Sequence, residues 1–349
     1  MRVLGIVILV VAVGLAAGVG VRYALDDAPA EKVLGASGIG AVPSPPKQVT
    51  LVAVGDVLLD KWPGRMIEQK GADYPFEATS EISRNADIAI CNLECCVAES
   101  GTPMDKEFTF RAKPESLGSL VNAGYDIVTL ANNHALDFGR EAFKETLVNL
   151  SKHGLEYVGA GESIAAAHEP KVLECDTMKV AFLAYDALAE EGVFPRSDVA
   201  GIAHVDPEIV RKGVQKAAGM ADAVIVYFHW GVEGSYVANS TQRRYARIAA
   251  DAGADLILGS HPHVVQNTED YTPPGRDTAV PIVYSLGNFV WGQRQSTPNH
   301  SAIFRCTLTP EGVTRYELIP VRIVACQPRP QEAQGKRSQA QHPPKTPGP

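Results

Sequence analysis

The chain lacks a basic excess. Its 32 Lys and Arg stand against 40 Asp and Glu, a formal net charge of −8. A general nucleic-acid binder shows the opposite balance, so no nucleic-acid partner is expected. There is no Gly-x-Ser-x-Gly elbow and no His-Glu-x-x-His helix, which argues against the familiar serine and zinc protease designs. No cysteine follows the N-terminal apolar segment until Cys91, so a bacterial lipoprotein anchor is not expected. The string over 35–40 reads Gly-x-x-Gly-x-Gly, which is not the dinucleotide order, and no strand precedes it. No internal repeat is visible. What remains is an ordinary globular composition, 45% hydrophobic over 349 residues, enough for a sizeable core.

The N-terminus departs from that composition. Residues 3–21 carry no charge and are flanked by Arg2 and Arg22. As a helix this stretch spans about 28 Å, close to the ~30 Å hydrocarbon core. It reads as a transmembrane anchor; a signal segment cleaved at Ala28-Pro29-Ala30 is the alternative, although cleavable signals have shorter apolar regions. Arg2 and the terminal amine face Arg22, Asp26, Asp27 and Glu31, which favours the N-terminus inside. The expectation is a single-pass protein of the cell membrane with an extracytoplasmic body. Residues 23–48, rich in Gly and Pro, read as a linker, 49–326 as the folded domain, and 327–349, poor in apolar residues, as a disordered tail. The six cysteines are consistent with an oxidising compartment. Cys91 reads as a small buried hydrophobe, and Cys95 and Cys96 as ordinary thiols beside Glu94.

Six short apolar runs each stop at a polar or metal-ligating residue. LVAV meets Gly55-Asp56, IAIC meets Asn92-Leu93-Glu94, and IVTLA meets Asn132-Asn133-His134. VIVYF meets His229-Trp230-Gly231, LILG meets Ser260-His261-Pro262-His263, and IVYSL meets Gly287-Asn288-Phe289. Such Val- and Ile-rich runs read as buried parallel strands. Helical patterns are expected at 76–84, 114–123, 141–153, 207–218 and 241–252. The alternation predicts an α/β fold with a mainly parallel sheet covered on both faces. The last strands, 302–308 and 315–322, lack intervening helices and are expected to form an antiparallel sheet or edge.

Ligands of open α/β sheets bind beyond the carboxyl ends of the strands. One site would therefore collect Asp56, Glu94, Asn133, His134, His229, His261 and His263, a mixture of donors suited to first-row metals. Each motif is weak alone. Gly-Asp is often a turn, and a lone histidine at a strand end is often a satisfied core residue. Two histidines two apart around Pro262 are more telling, since proline stiffens the loop that aims them. Asp137, three residues after His134, is placed to hold its ring nitrogen and fix the tautomer.

Taken in order, Gly-Asp, Asn-Leu-Glu, Asn-Asn-His-x-x-Asp-x-Gly, His-Trp-Gly-x-Glu, Gly-Ser-His-Pro-His and Ser-Leu-Gly-Asn-Phe resemble the CapA family of capsule-biosynthesis proteins. That family is associated with poly-γ-glutamate capsule synthesis and export, and it resembles the calcineurin-like metallophosphoesterase superfamily. The resemblance covers about residues 49–323. It implies a two-sheet β-sandwich flanked by helices, and the apolar N-terminus fits the family's membrane association. It also implies roles. Asp56 and His263 would bind one divalent metal (Mn, Fe or Zn), Asn133, His229 and His261 a second, and Glu94 would bridge the two. His134, oriented by Asp137, would stand beside the leaving group as the catalytic pair. Glu233 would partner a metal-bound water or His229, and Asn288 would line the pocket or simply make a turn. The superfamily's first motif is Asp-x-His, whereas Leu58 stands here. One well-held cation and a weaker second are therefore expected, with Asp60 a conceivable substitute ligand.

If the site is catalytic, the implied activity is metal-dependent hydrolysis of phosphoesters. Two alternatives stay open: a non-catalytic accessory protein that binds an anionic polymer through its metal, and an amide hydrolase using the same site. Capsule-synthesis membrane proteins and an anionic polymer are the expected partners. Arg111 is weighed as an anion contact or as a plain surface arginine.

Overall fold

The computed structural model describes residues 47–175, 178–188, 199–292 and 299–331. The expected anchor, the linker up to residue 46 and the tail beyond residue 331 lie outside the described residues. Among the described residues no helix is long and apolar enough to cross a membrane.

The strands form two principal sheets rather than one. In the first, the spatial order is Gln327–Pro330, Gly312–Val324, His300–Thr309, Val49–Val57, Ile88–Leu93, Ile127–Thr129 and Glu156–Val158, with Asn288–Val290 also pairing with Val49–Val57. In the second it is Thr268–Tyr271, Val280–Val283, Leu256–Ser260, Ala223–His229, Met178–Asp186 and Lys171–Cys175. The centre of each sheet is parallel. The C-terminal strands are antiparallel and extend the first sheet as an edge, one of the two arrangements expected for them.

Side chains along a strand alternate between faces. Leu51 and Ala53 therefore enter the core between the sheets, with Ile90, Phe182, Ile225, Tyr227 and Leu258. Val52 and Val54 face the other way, toward Ile67, Phe76, Leu120, Phe143 and Leu147 of the helical layer. On the second sheet, Val224 and Val226 meet Val210, Val214, Ala246 and Ala250 of the helices Pro207–Ala218 and Ser240–Ala252. Each sheet thus has helices on one face and the other sheet on the other. A strand apolar on both faces reads the same in either arrangement, so the alternation alone pointed to a single covered sheet. The two-sheet sandwich implied by the family resemblance is the one observed. Truncating Phe182, fully buried between the layers, to alanine is expected to cost about 3–5 kcal/mol.

Local signals explain the helices. Asp206 accepts hydrogen bonds from the backbone N–H of Glu208 and Ile209, ahead of Pro207 in the first helical turn. Asn239 and Gln242 form a reciprocal capping box at Ser240–Ala252. The expected helix over 76–84 is instead a 3₁₀ turn, Tyr74–Phe76, and a short helix, Ser80–Arg84. The tail also needs correction. Gln327–Pro330 is an edge strand paired with Gly312–Val324, and its Gln327 amide donates to the Tyr74 carbonyl at 2.7 Å. Prolines are tolerated on an edge, where no further strand needs their missing N–H.

Candidate metal centre

Register brings the strand ends together. Asp56 pairs with both Asn92 and Asn288 across the first sheet, and His229 pairs with Ser260 and Asp186 across the second. Two glycines permit the close approach. A Cβ on Gly55 would lie 1.8 Å from the Gly287 carbonyl oxygen, and one on Gly259 would lie 2.3 Å from the Tyr284 carbonyl oxygen. Only glycine fits either place. Trp230 is fully buried, donates from Nε1 to the Tyr284 carbonyl at 2.8 Å and stacks on Phe228, so it pins the strand end that carries His229.

Glu94 lies at the centre. It is fully buried, and neither carboxylate oxygen has a hydrogen-bond partner among the described residues. Its Oε1 is 3.6 Å from His229 Nε2, 3.9 Å from His134 Nε2 and 4.0 Å from His263 Nε2. These separations are too long for hydrogen bonds. Two donors about 2.1 Å from one shared cation lie roughly 3–4.2 Å apart, which is the range seen. His261 Nδ1 is likewise buried without a partner. Glu94, His229 and His261 place one donor atom each within 4.8 Å of one another, as do Asp56, Glu94 and His263. Unsatisfied buried oxygens and nitrogens of this type fit a divalent cation.

The electrostatics separate the two acids. Burial alone would raise Asp56, but His263, His229 and the Asn92 amide outweigh it and hold its carboxyl well below the ordinary range. Burial and the Asp56 charge push Glu94 well above that range. Burial holds His229 far below the usual imidazole value, and it lowers His261 to about 3. Both rings are therefore neutral at physiological pH, the form that binds metal. Burial would lower His263 too, yet hydrogen bonding to Asp56 and Asn288 raises it. Its Nδ1 stands 2.8 Å from Asn288 Oδ1 and 3.3 Å from Asp56 Oδ2. His261 and His263 have φ values of 94° and 58°, a left-handed backbone that costs energy in side-chain-bearing residues and aims both rings into the pocket.

Beside this cluster, His134 Nδ1 is 2.6 Å from Asp137 Oδ2. Asp137 is fully buried and also accepts from the Phe110 backbone N–H at 2.8 Å. Lys106 donates to Asp137 Oδ1 at 2.6 Å and to the Asn133 carbonyl at 2.7 Å. The Asn133 side-chain oxygen is 3.0 Å from His229 Nε2. The structure thus brings Asp56, Glu94, Asn133, His134, Asp137, His229, His261, His263 and Asn288 into one pocket.

Some expectations need correction. Glu233, expected to partner a metal-bound water or His229, places a carboxylate oxygen within 4.8 Å of ring nitrogens of His261 and His263. Asp60 Oδ2 accepts from the Arg111 backbone N–H at 2.9 Å, and Asp60 joins none of the candidate ligand groups among the described residues. Leu58 is buried and packs in the core between the first sheet and its helices. Arg111 donates to the Glu99, Ser100 and Gly101 carbonyls and lies over Phe138, so it holds a loop rather than an anion. Cys91, Cys95 and Cys96 are buried thiols, all pushed up by burial, as befits inert packing.

Two participants escaped the sequence. The buried Asn92 amide donates to Asp56 Oδ1 at 2.8 Å and lies 3.3 Å from His229 Nδ1, while its oxygen accepts from Asn132 at 3.0 Å. Its position at the end of a strand, two residues before Glu94, was the available signal. Lys106 sits in a segment with no apolar period or motif, and no pattern marked it.

Comparison with known proteins bears on these residues. The profile for "Bacterial capsule synthesis protein PGA_cap" matches residues 50–293. The chain is 34% identical over 280 residues to PGA biosynthesis protein CapA of Bacillus subtilis (strain 168), covering 79% of this chain and 72% of that one. It is 30% identical over 292 residues to capsule biosynthesis protein CapA of Bacillus anthracis, covering 81% and 70%. Among solved structures, Haemophilus influenzae NAD nucleotidase (NadN) superposes with a TM-score of 0.50 at 8% identity, over 85% of this chain and 54% of that one, a likeness of fold alone.

Proposed function

Because the chain belongs to the bacterial capsule synthesis protein PGA_cap family, we propose that it is a membrane-tethered, extracytoplasmic protein of capsule polymer synthesis or export whose pocket is a divalent-metal hydrolase site. One observation carries the reading of the site. The fully buried Glu94 carboxylate has no hydrogen-bond partner among the described residues, yet imidazole nitrogens of three histidines stand 3.6–4.0 Å away.

Asp56, Glu94 and His263 would hold one cation, and Glu94, Asn133, His229 and His261 the other. A bound divalent ion would supply a water activated near neutral pH and polarise a phosphoryl or acyl oxygen. The rest belongs to the chain. Were His229 to hold the ion through Nε2, Nδ1 would carry the proton and donate to Ser260 Oγ, 3.0 Å away. Asp137 fixes His134 with Nε2 facing Glu94 Oε1, and it stabilises the ring when protonated. In that form His134 gives the Nε2 proton to a leaving oxygen. Lys106 holds Asp137 in place through its 2.6 Å contact with Oδ1.

Hydrolysis is favoured over simple binding because an oriented His–Asp pair beside the cluster serves proton transfer and adds nothing to binding alone. A second reading, metal-dependent binding of an anionic polymer without turnover, draws support from Leu58, which leaves one cation position short of a ligand. A relative of 26% identity over 227 residues is named a probable polyglutamine synthesis accessory protein of Mycobacterium tuberculosis (strain CDC 1551 / Oshkosh), covering 61% of this chain and 58% of that one. The residues 3–21 carry the tethering part of the proposal. Metal-loaded protein should be assayed with phosphomonoesters, phosphodiesters and γ-linked glutamate oligomers. Phosphoester turnover that His134→Ala abolishes without loss of metal supports the hydrolase. Cleavage of γ-linked oligomers alone would make it an amide hydrolase, and polymer binding without turnover would make it the accessory protein.

A further inference from the structure

Leu58 occupies the position at which an Asp-x-His motif would place a metal ligand. Its side chain is buried in the core and offers no donor atom. Asp56, Glu94 and His263 are left as a three-residue set. Three protein donors leave at least one coordination position open, as catalytic metal sites do, and a carboxylate on a neighbouring element could fill it.

The loop that follows His229 offers one. A Glu233 carboxylate oxygen and one ring nitrogen each of His261 and His263 lie within 4.8 Å of one another. The loop is fixed to the histidine turn: Gly234 N–H donates to the Pro262 carbonyl at 2.9 Å, and Trp230 N–H donates to the Ser260 carbonyl at 3.1 Å. Gly231 and Gly234 have φ values of 99° and 72°, which set the tight path on either side of Glu233. Glu233 itself is exposed and makes no ion pair with a lysine or arginine among the described residues. Its backbone is anchored beside the imidazoles, while its side chain remains able to turn.

We propose that Glu233 is a direct ligand of the cation held by Asp56, Glu94 and His263, supplying from the solvent side the donor that Leu58 cannot. This rests on reading the pocket as a metal site, and it changes the part played by Glu233 from partner of His229 to member of the coordination set. The geometry also assigns the two cation positions different characters. The one at Glu94, Asn133, His229 and His261 is built from strand ends and their adjoining loops. The other draws one donor from an exposed side chain on the loop after His229.

The test is a calorimetric titration of Mn²⁺ into metal-stripped full-length protein, with Glu233→Gln and Glu233→Ala alongside. The parent should show a tight and a weaker phase. Either substitution should weaken the weaker phase by about 10- to 100-fold and leave the tight phase unchanged. Both phases unchanged in Glu233→Gln would overturn the assignment while the metal site itself stands. Loss of both phases with a lowered unfolding midpoint in chelator would mean that Glu233 supports the fold, which overturns it equally. A parent that takes up no Mn²⁺ would remove the metal reading and this inference with it.

Discussion

Replacing Glu94 with glutamine should make the metal-free protein more stable and the metal-loaded protein less so. In the metal-free state two buried carboxylate oxygens go without a donor. Each unsatisfied buried group costs about 1–3 kcal/mol. Glutamine removes the buried charge beside Asp56 at nearly constant volume, so a gain of roughly 2 kcal/mol is expected, about 3–4 °C in the unfolding midpoint for a domain of this size. The pH dependence has a definite sign. Glu94 is raised above its ordinary 4.5 in the folded state. Its contribution is therefore fully present below pH 4.5 and is lost as pH rises through the folded value, and the variant should not show that loss. Saturating metal reverses the ranking. At a hundredfold excess over Kd the parent gains about 2.7 kcal/mol per site, whereas the variant has lost the ligand common to both positions. Thermal unfolding of both proteins at pH 8, in chelator and in excess Mn²⁺, measures all four values. A variant less stable than the parent in chelator, or one that gains as much from Mn²⁺, would refute the reasoning.

Other outcomes follow from the same geometry. His134→Ala should lower turnover of a phosphoester substrate by about 10²–10⁴-fold, with metal content by elemental analysis unchanged. Lys106→Met leaves Asp137 Oδ1 without its ammonium partner and should cost about 1–3 kcal/mol in urea unfolding, with Lys106→Arg retaining most of the stability. Asn92→Ala breaks the amide link between Asp56 and Asn132 and should cost about 2–4 kcal/mol while weakening cation binding in a Mn²⁺ titration. His261 falls from 6.5 to about 3 on folding, so the unfolded chain binds more protons between those values. Metal-free stability should therefore fall as pH drops through that window, by up to about 5 kcal/mol, and His261→Gln should flatten the fall in urea titrations at successive pH values.

The strand ends were legible because a buried parallel strand needs apolar residues on both faces, and the first polar residue after it marks where the strand leaves the core. Asp56 and His229 are that first polar residue, and Asn133 and His261 follow it by one, after Asn132 and Ser260. The division into two sheets was not legible from alternation, since helices or a second sheet can cover a strand's face equally well; only the ordered motifs implied it. Gln327–Pro330 read as tail because prolines suppress any strand pattern, yet an edge strand accommodates them. Asn92 could be suspected from its place two residues before Glu94. Lys106 could not, because it reaches Asp137 across 31 residues from a segment without period. Leu58 was legible as a departure from the motif, and Glu233 as a residue near the site, but its closeness to His261 and His263 shows only once the loop after His229 is folded against Pro262.

Elemental analysis of the purified protein, loaded with first-row divalent metal and dialysed against metal-free buffer, bears most directly on the central claim. The parent should retain roughly one equivalent or more, and a His229→Ala, His261→Ala double variant that still folds should retain none. Equal metal in the two proteins, or none in the parent, would contradict the account.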